Sequence, residues 1–223
     1  MITTRPYTNS IYQTSITDYY NGVLKLGDGE SYGTGNLLYD GRSLLTAAHV
    51  FDGRNYDRLK IYLYDGVNNF TAYASIKHHI YYDEYDLNDD IAIVTFEQTF
   101  DSMYQRYQLY RDNSEINKKY TAVGYGDVGT GYTGETFADE IYKLKTTNTF
   151  DADLKTLIDY ANIKLQWKPI KDAILISDFD NGYSNTDIIG SLSNKPHYGT
   201  GSMEGSLGGG DSGGAAFING LIA

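Results

Sequence analysis

The feature that most constrains the fold is the shortness of the apolar runs, which alternate with polar residues over about four to eight positions and stop at glycine, asparagine or aspartate. Long helical periods are few. Alternation of period two buries one face of a strand, and short strands separated by turn residues are the pattern of an all-β barrel protein. The 24 glycines and 23 tyrosines agree with this, because glycine serves tight turns and tyrosine suits a half-buried pleated surface. Strands are expected at Gly22 to Leu26, Gly35 to Tyr39, Ser43 to Ala47, Lys60 to Tyr64, Thr71 to Lys77 and Ile91 to Phe96, closing a first six-strand unit. Asp40-Gly41 predicts a type I′ hairpin turn, in which both central residues take positive φ.

From Phe100 to Lys119 the sequence turns polar and tyrosine-rich, with Arg111-Asp112-Asn113-Ser114 as a breaker cluster. A boundary near residue 113 divides the chain into 1–113 and 114–223. The second half opens with a strand ending at Ala122-Val123-Gly124-Tyr125-Gly126, followed by a glycine-rich loop from Gly126 to Gly134. Asp153 is placed to cap a short helix carrying Leu154, Leu157 and Ile158 on one face, and Ile163, Leu165 and Trp167 then alternate as a strand.

Bulk properties narrow the function. With 41% hydrophobic and 14% aromatic residues in 223, a packed core is available. The 18 basic and 29 acidic residues leave a net charge of -11, which argues against nucleic acid and against anionic membrane surfaces, since both need basic patches. Cysteine is absent, so no disulfide contributes and the chain is indifferent to redox compartment. The stretch from Met1 to Tyr7 lacks the apolar run of a secretory signal, and no run approaches a membrane span.

The chemistry centres on Gly208-Gly209-Gly210-Asp211-Ser212-Gly213-Gly214. A serine among glycines has an accessible hydroxyl and nearby backbone N–H groups free to meet a ligand. A flexible turn or linker has the same composition. Two further stretches favour nucleophile chemistry: Thr46-Ala47-Ala48-His49 ends an apolar run with an imidazole, and Asn88-Asp89-Asp90 sets a carboxylate before the apolar run Ile91-Ala92-Ile93-Val94. A serine hydroxyl needs a base to take its proton as it attacks, and the base needs an orienting acid.

In their order His, Asp, Ser, the motifs Thr46-Ala47-Ala48-His49, Asp90-Ile91-Ala92 and Gly210-Asp211-Ser212-Gly213-Gly214 resemble those of the trypsin/chymotrypsin-like serine proteases, from about Gly22 to the end of the chain. The resemblance implies an all-β fold of two six-stranded antiparallel β-barrels with the active site in the cleft between them. It implies His49 as general base, Asp90 as its orienting acid and Ser212 as nucleophile, with the Gly210 and Ser212 amides forming an oxyanion hole. Ser206 falls at the base of the substrate pocket, where a neutral side chain favours apolar or aromatic substrate residues over basic ones, with Glu204 close by. Protein or peptide substrates, no cofactor, no metal and a secreted or extracytoplasmic location are also implied, and the absence of cysteine suits a bacterial relative. Asp89 is the rival of Asp90; strand alternation turns adjacent residues to opposite faces, making Asp89 a solvated neighbour. In many members of the family the equivalent of Asp211 binds a freed N-terminus. No Ile-Val-Gly-Gly lies near the start, and Ile16-Thr17-Asp18 is a poor substitute, which leaves the partner of Asp211 open.

Gly210-Asp211-Ser212-Gly213-Gly214 also satisfies the G-x-S-x-G pattern of α/β-hydrolases. That fold puts its acid and histidine after the serine, whereas the eleven residues following Ser212 contain no Asp, Glu or His. The non-enzyme alternative is a catalytically weak or inactive protease-like fragment or binding module. After Ser212 there is room for a strand at Ala215 to Ile218, a turn at Asn219-Gly220 and the start of another strand, so the second barrel is expected to be incomplete, as in a C-terminally truncated domain, with an open sheet edge. Two acidic stretches, Asp83, Glu84, Asp86, Asp89 and Asp90, and Asp178-Phe179-Asp180-Asn181-Gly182, lack full calcium-ligand spacing and read as solvated turns.

Overall fold

The computed structural model describes every residue except Glu84, Leu87 and Asp139. After a two-residue strand β1 (Ile2–Thr3), the chain winds β2 (Val23–Gly27), β3 (Tyr32–Leu37), β4 (Ser43–Thr46), β5 (Tyr56–Tyr64), β6 (Asn69–His78) and β7 (Ala92–Phe96) into a closed antiparallel barrel of order β2-β3-β4-β7-β6-β5. Closure comes from β2 against β5, with Leu26 opposite Leu63. Leu24, Leu26, Leu44, Ile61, Ile76, Val94 and Phe96 point inward and are buried, one residue in two along their strands, as the alternation requires. Gly35 sits where a Cβ would strike the Leu26 side chain, so the interior closes over a bare backbone.

The turn at Asp40-Gly41 differs from the expected type I′ hairpin. Only Gly41 takes positive φ, at 70°. The strands end at Leu37 and restart at Ser43, leaving a longer loop that needs no paired left-handed residues. Asp40 instead works through its side chain, accepting hydrogen bonds from the backbone of Arg42 (3.1 Å) and Ser43 (2.9 Å).

The second half comprises β8 (Lys119–Gly124), β9 (Val128–Thr130), β10 (Gly134–Thr136), β11 (Leu144–Thr149), β12 (Ala152–Asp153), α1 (Leu154–Tyr160), β13 (Leu175–Ile176), α2 (Ile188–Ser193), β14 (Gly205–Ser206), β15 (Ala216–Ile218) and β16 (Leu221–Ile222). These do not form a closed six-stranded barrel. They make two four-stranded sheets, β11-β8-β15-β16 and β10-β9-β1-β14, and the pair β12-β13. Nor are the edges at β16 and β11 open as expected. Beside β16, Ile222 accepts from the Tyr110 amide (2.6 Å) and donates to the Gln108 carbonyl (2.9 Å), so the crossing segment covers that edge. Beside β11, the Lys145 amide donates to the Tyr12 carbonyl (2.8 Å), and Thr147 bridges Glu204. Single bridges of this kind carry no alternation pattern, which is why the sequence does not announce them.

The Asn219-Gly220 hairpin has φ of 50° and 82°, both positive, as a two-residue turn requires. The α1 helix is capped by Asp153, whose Oδ1 accepts from the Thr156 amide (2.8 Å), with Leu157 and Ile158 buried. Residues 163 to 167, by contrast, form no strand, since Ile163 and Leu165 have no partner strand among the described residues and lie exposed. The glycine-rich segment after Gly126 is a small hairpin, β9 with β10, rather than a plain loop. No helix among the described residues is long and apolar enough to cross a membrane.

Candidate active site

His49 lies in a 3-10 turn, Ala48–Phe51, directly after β4, and Asp90 directly before β7. β4 and β7 are paired with Thr46 opposite Ala92, so the barrel register carries the two side chains to the same rim. There the Asp90 carboxylate grips His49 twice: Oδ1 accepts from the His49 amide (2.9 Å) and Oδ2 lies 2.5 Å from Nδ1. The hydrogen bond to Asp90 raises the pKa of His49 above its ordinary value, against an opposing effect of burial. Burial alone would push the Asp90 carboxyl up, but the hydrogen bonds from His49 outweigh it and hold Asp90 below the usual carboxylate value. Asp89 turns elsewhere. It takes a left-handed backbone conformation (φ 55°) and its Oδ1 lies 3.3 Å from His79 Nδ1. A local turn, not the strand pleat invoked from the sequence, separates the neighbours.

Ser212 arrives from the other half, on the loop between β14 and β15, and is pressed against β3. The Ser212 carbonyl accepts from the Thr34 amide (2.8 Å), the Gly210 carbonyl from Thr34 Oγ1 (3.0 Å), and the Gly213 carbonyl from Asn36 Nδ2 (2.6 Å). Gly213 (φ 80°) is so close to Thr46, Thr34 and Ala47 that a Cβ there would collide with all three. The serine loop therefore abuts the segment leading into His49. Gly210 (φ 88°) would likewise drive a Cβ into the Tyr32 ring, and among the described residues the Gly210 and Ser212 amides donate no hydrogen bond within the chain.

Thr34 and Asn36 were not singled out in the sequence. Their signal is the run Tyr32-Gly33-Thr34-Gly35-Asn36, in which glycines face the barrel interior and small polar residues face outward. Both polar side chains are buried, because the second half covers them.

Asp211 has a partner that the sequence left open. Its Oδ2 lies 3.0 Å from the Met1 ammonium, with both groups only 1% exposed, while Oδ1 accepts from the Gly126 amide (2.7 Å) and Oδ2 from the Gly208 amide (2.9 Å). The Met1 ammonium also donates to the Asp127 carbonyl. Ile16 takes no part. Gly124 and Gly126 leave room for the Asp211 carboxylate, which a Cβ at either would strike.

Ser206 lies in β14, opposite Ile2, and lines a cavity of about 300 Å³ together with Ala122, Phe150, Leu175, Leu207 and Ala216. Glu204, expected beside this pocket, is fully buried and turned away from it: Oε1 accepts from the Asp180 amide (3.3 Å), and Oε2 from the Thr200 amide and from Thr200 Oγ1 (2.8 Å). In the acidic stretch before β7, Asp83 and Asp86 accept from the Tyr85 (3.0 Å) and Asn88 (2.9 Å) amides as ordinary turn residues, and Glu84 lies outside the described residues. The stretch at Asp178 to Gly182 is not the solvated turn expected, since Asp180 is buried.

Residues 9–165 match the trypsin family, a segment that includes His49 and Asp90 and ends before Ser212. The whole fold is similar to that of the scabies mite inactivated protease paralogue S-D1, with a TM-score of 0.66 and 17% identity over 100% of this chain and 83% of that one. It is also similar to neuropsin, a serine protease expressed in the limbic system of mouse brain, with a TM-score of 0.64 and 17% identity over 95% of this chain and 83% of that one. No curated protein sequence matches. With more than half of its length matched by the family and its backbone following that fold beyond the matched segment, the chain belongs to the trypsin family.

Proposed function

We propose that the protein is a serine endopeptidase that hydrolyses peptide bonds through an acyl-enzyme on Ser212. The observation that carries this reading is the two-point grip of Asp90 on His49 beside the docked Ser212 loop. Asp90 holds the imidazole with Nδ1 engaged, leaving Nε2 to take the Ser212 proton and return it to the leaving amine, while the carboxylate stabilises the imidazolium formed in between. The amides of Gly210 and Ser212 supply an oxyanion hole, charge stabilisation that matters only in the transition state. An inactivated paralogue has a similar fold, so activity rests on these side chains and amides rather than on the fold.

Ser206 sets the primary specificity. The apolar walls around it, and the turning away of Glu204, favour apolar or aromatic residues before the scissile bond over Lys or Arg. The substrates are proteins or peptides, and secretion fits a protease of this family. The folded protein is expected to be labelled at Ser212 by a fluorophosphonate, with the rate falling by at least about a hundredfold in His49→Ala. Labelling at another residue, or an undiminished rate in that variant, would refute the assignment.

A further inference from the structure

The second half holds a group of carboxylates for which peptide hydrolysis has no use. Asp178 and Asp180 follow β13, Asp187 caps the N-terminus of α2, and Glu204 immediately precedes β14. Carboxylate oxygens of Asp178, Asp180 and Asp187 all lie within 4.8 Å of one another. Asp180 is only 4% exposed and Asp187 3%.

Their hydrogen bonds are unevenly shared. Asp178 Oδ2 accepts from the Ile189 amide (2.7 Å), and Asp187 accepts from the Gly190 amide at Oδ1 (2.8 Å) and from the His197 amide at Oδ2 (3.1 Å). Asp178 Oδ1 and both oxygens of Asp180 are buried and have no hydrogen-bond partner among the described residues. Among the described residues no lysine or arginine forms an ion pair with any of the three aspartates. A buried carboxylate without donors is strongly unfavourable, and a second and third carboxylate alongside make it more so. Burial and crowding together call for a positive charge at the point where these oxygens converge.

We propose that Asp178, Asp180 and Asp187 bind a calcium ion. The three side chains offer hard oxygen ligands only, which suit Ca²⁺, Mg²⁺ or Mn²⁺ rather than the softer transition metals. Ca²⁺ accepts six to eight oxygens in variable geometry, whereas Mg²⁺ demands a near-ideal octahedron and gives up its waters reluctantly. Ligands drawn from an irregular loop and a helix cap, with a buried carboxylate among them, match the first description. The ion would tie the segment between β13 and β14 to itself. Through the Asp180 amide on Glu204, it would steady the strand that carries Ser206 and pairs with Ile2 and Thr3 beside the Met1–Asp211 ion pair.

The test uses the full chain, freed of divalent cations with a chelator and titrated with CaCl₂ by calorimetry and by thermal melting. One saturable site is expected. At a hundredfold excess over Kd, Tm should rise by about 5–10 °C. Asp180→Asn should lower calcium affinity at least tenfold, while Asp86→Asn, in the surface turn, should leave it unchanged. If Asp180→Asn fails to fold, Asp178→Asn carries the same expectation. Absence of a saturable site, an unmoved Tm, or wild-type affinity in the folded Asp178 or Asp180 variant would overturn the proposal. Mg²⁺ binding as tight as that of Ca²⁺ would overturn the choice of ion. None of these readouts depends on peptidase activity.

Discussion

At the scale of single residues, the contact between His49 and Asp90 has a kinetic consequence with a definite sign. As a base His49 must be neutral in the free enzyme, and its hydrogen bond to Asp90 raises its pKa above the ordinary 6.5. The rate constant kcat/KM is therefore expected to rise with pH through an apparent pKa above 6.5. In Asp90→Asn the acid limb should move to lower pH and kcat should fall by about 10⁴. A pH profile of wild type and variant checks both, and a limb that stays in place would detach Asp90 from the control of His49. The residues of this contact are legible in the sequence because each stands at the end of a strand, where local pattern is strong. Asp180 is the opposite case. Its sequence context is that of a polar turn, and the return of the chain at Gly199 and Glu204, far along the sequence, packs against it.

At the scale of elements, the six strands of the first barrel were readable because alternation decides burial locally, with ends displaced by a few residues. The role of β3 was not. Its inward face has glycines where a barrel strand would carry larger apolar side chains, and its outward face has Thr34 and Asn36, which read as solvent-facing until the second half is laid over them. Asn36 joins elements far apart in sequence: Nδ2 donates to the Gly213 carbonyl (2.6 Å) and Oδ1 accepts from the Ala215 amide (3.2 Å). Removing the side chain strands a partly buried carbonyl and a buried amide at once. Asn36→Ala is expected to cost about 2–4 kcal/mol in urea unfolding. It should also slow fluorophosphonate labelling of Ser212, because the serine loop loses its anchor. A loss below about 0.5 kcal/mol would show that β3 does not hold the loop.

At the scale of the whole molecule, the second half is completed by segments from outside it: the N-terminal strand β1, the crossing residues Gln108 to Tyr110, and Tyr12 beside β11. Lys143 lies where these parts meet. Its carbonyl accepts from Thr14 Oγ1 (3.3 Å), its side chain lies close to Gly66 of the first barrel, and its ammonium sits 5.7 Å from the centre of the Tyr125 ring. The ammonium is buried without a hydrogen-bond partner among the described residues, and burial lowers its pKa to about 8 despite the attraction of Asp18 and Asp65. The folded state thus favours the neutral amine more than the unfolded chain does, whose lysine titrates near 10.5. Below pH 8 the folded protein bears the full cost of the buried charge. Between about 8 and 10.5 the unfolded chain holds a proton that the folded one releases, so stability gains from rising pH. Replacing the ammonium by an apolar group of similar length removes the cost and the pH dependence together. Lys143→Met is therefore expected to stabilise the protein by about 1–3 kcal/mol at pH 7, and the advantage over wild type should shrink at pH 9. Urea unfolding at the two pH values checks it; a variant less stable than wild type at pH 7, or an advantage that grows with pH, would show that Lys143 has a compensating partner in solution.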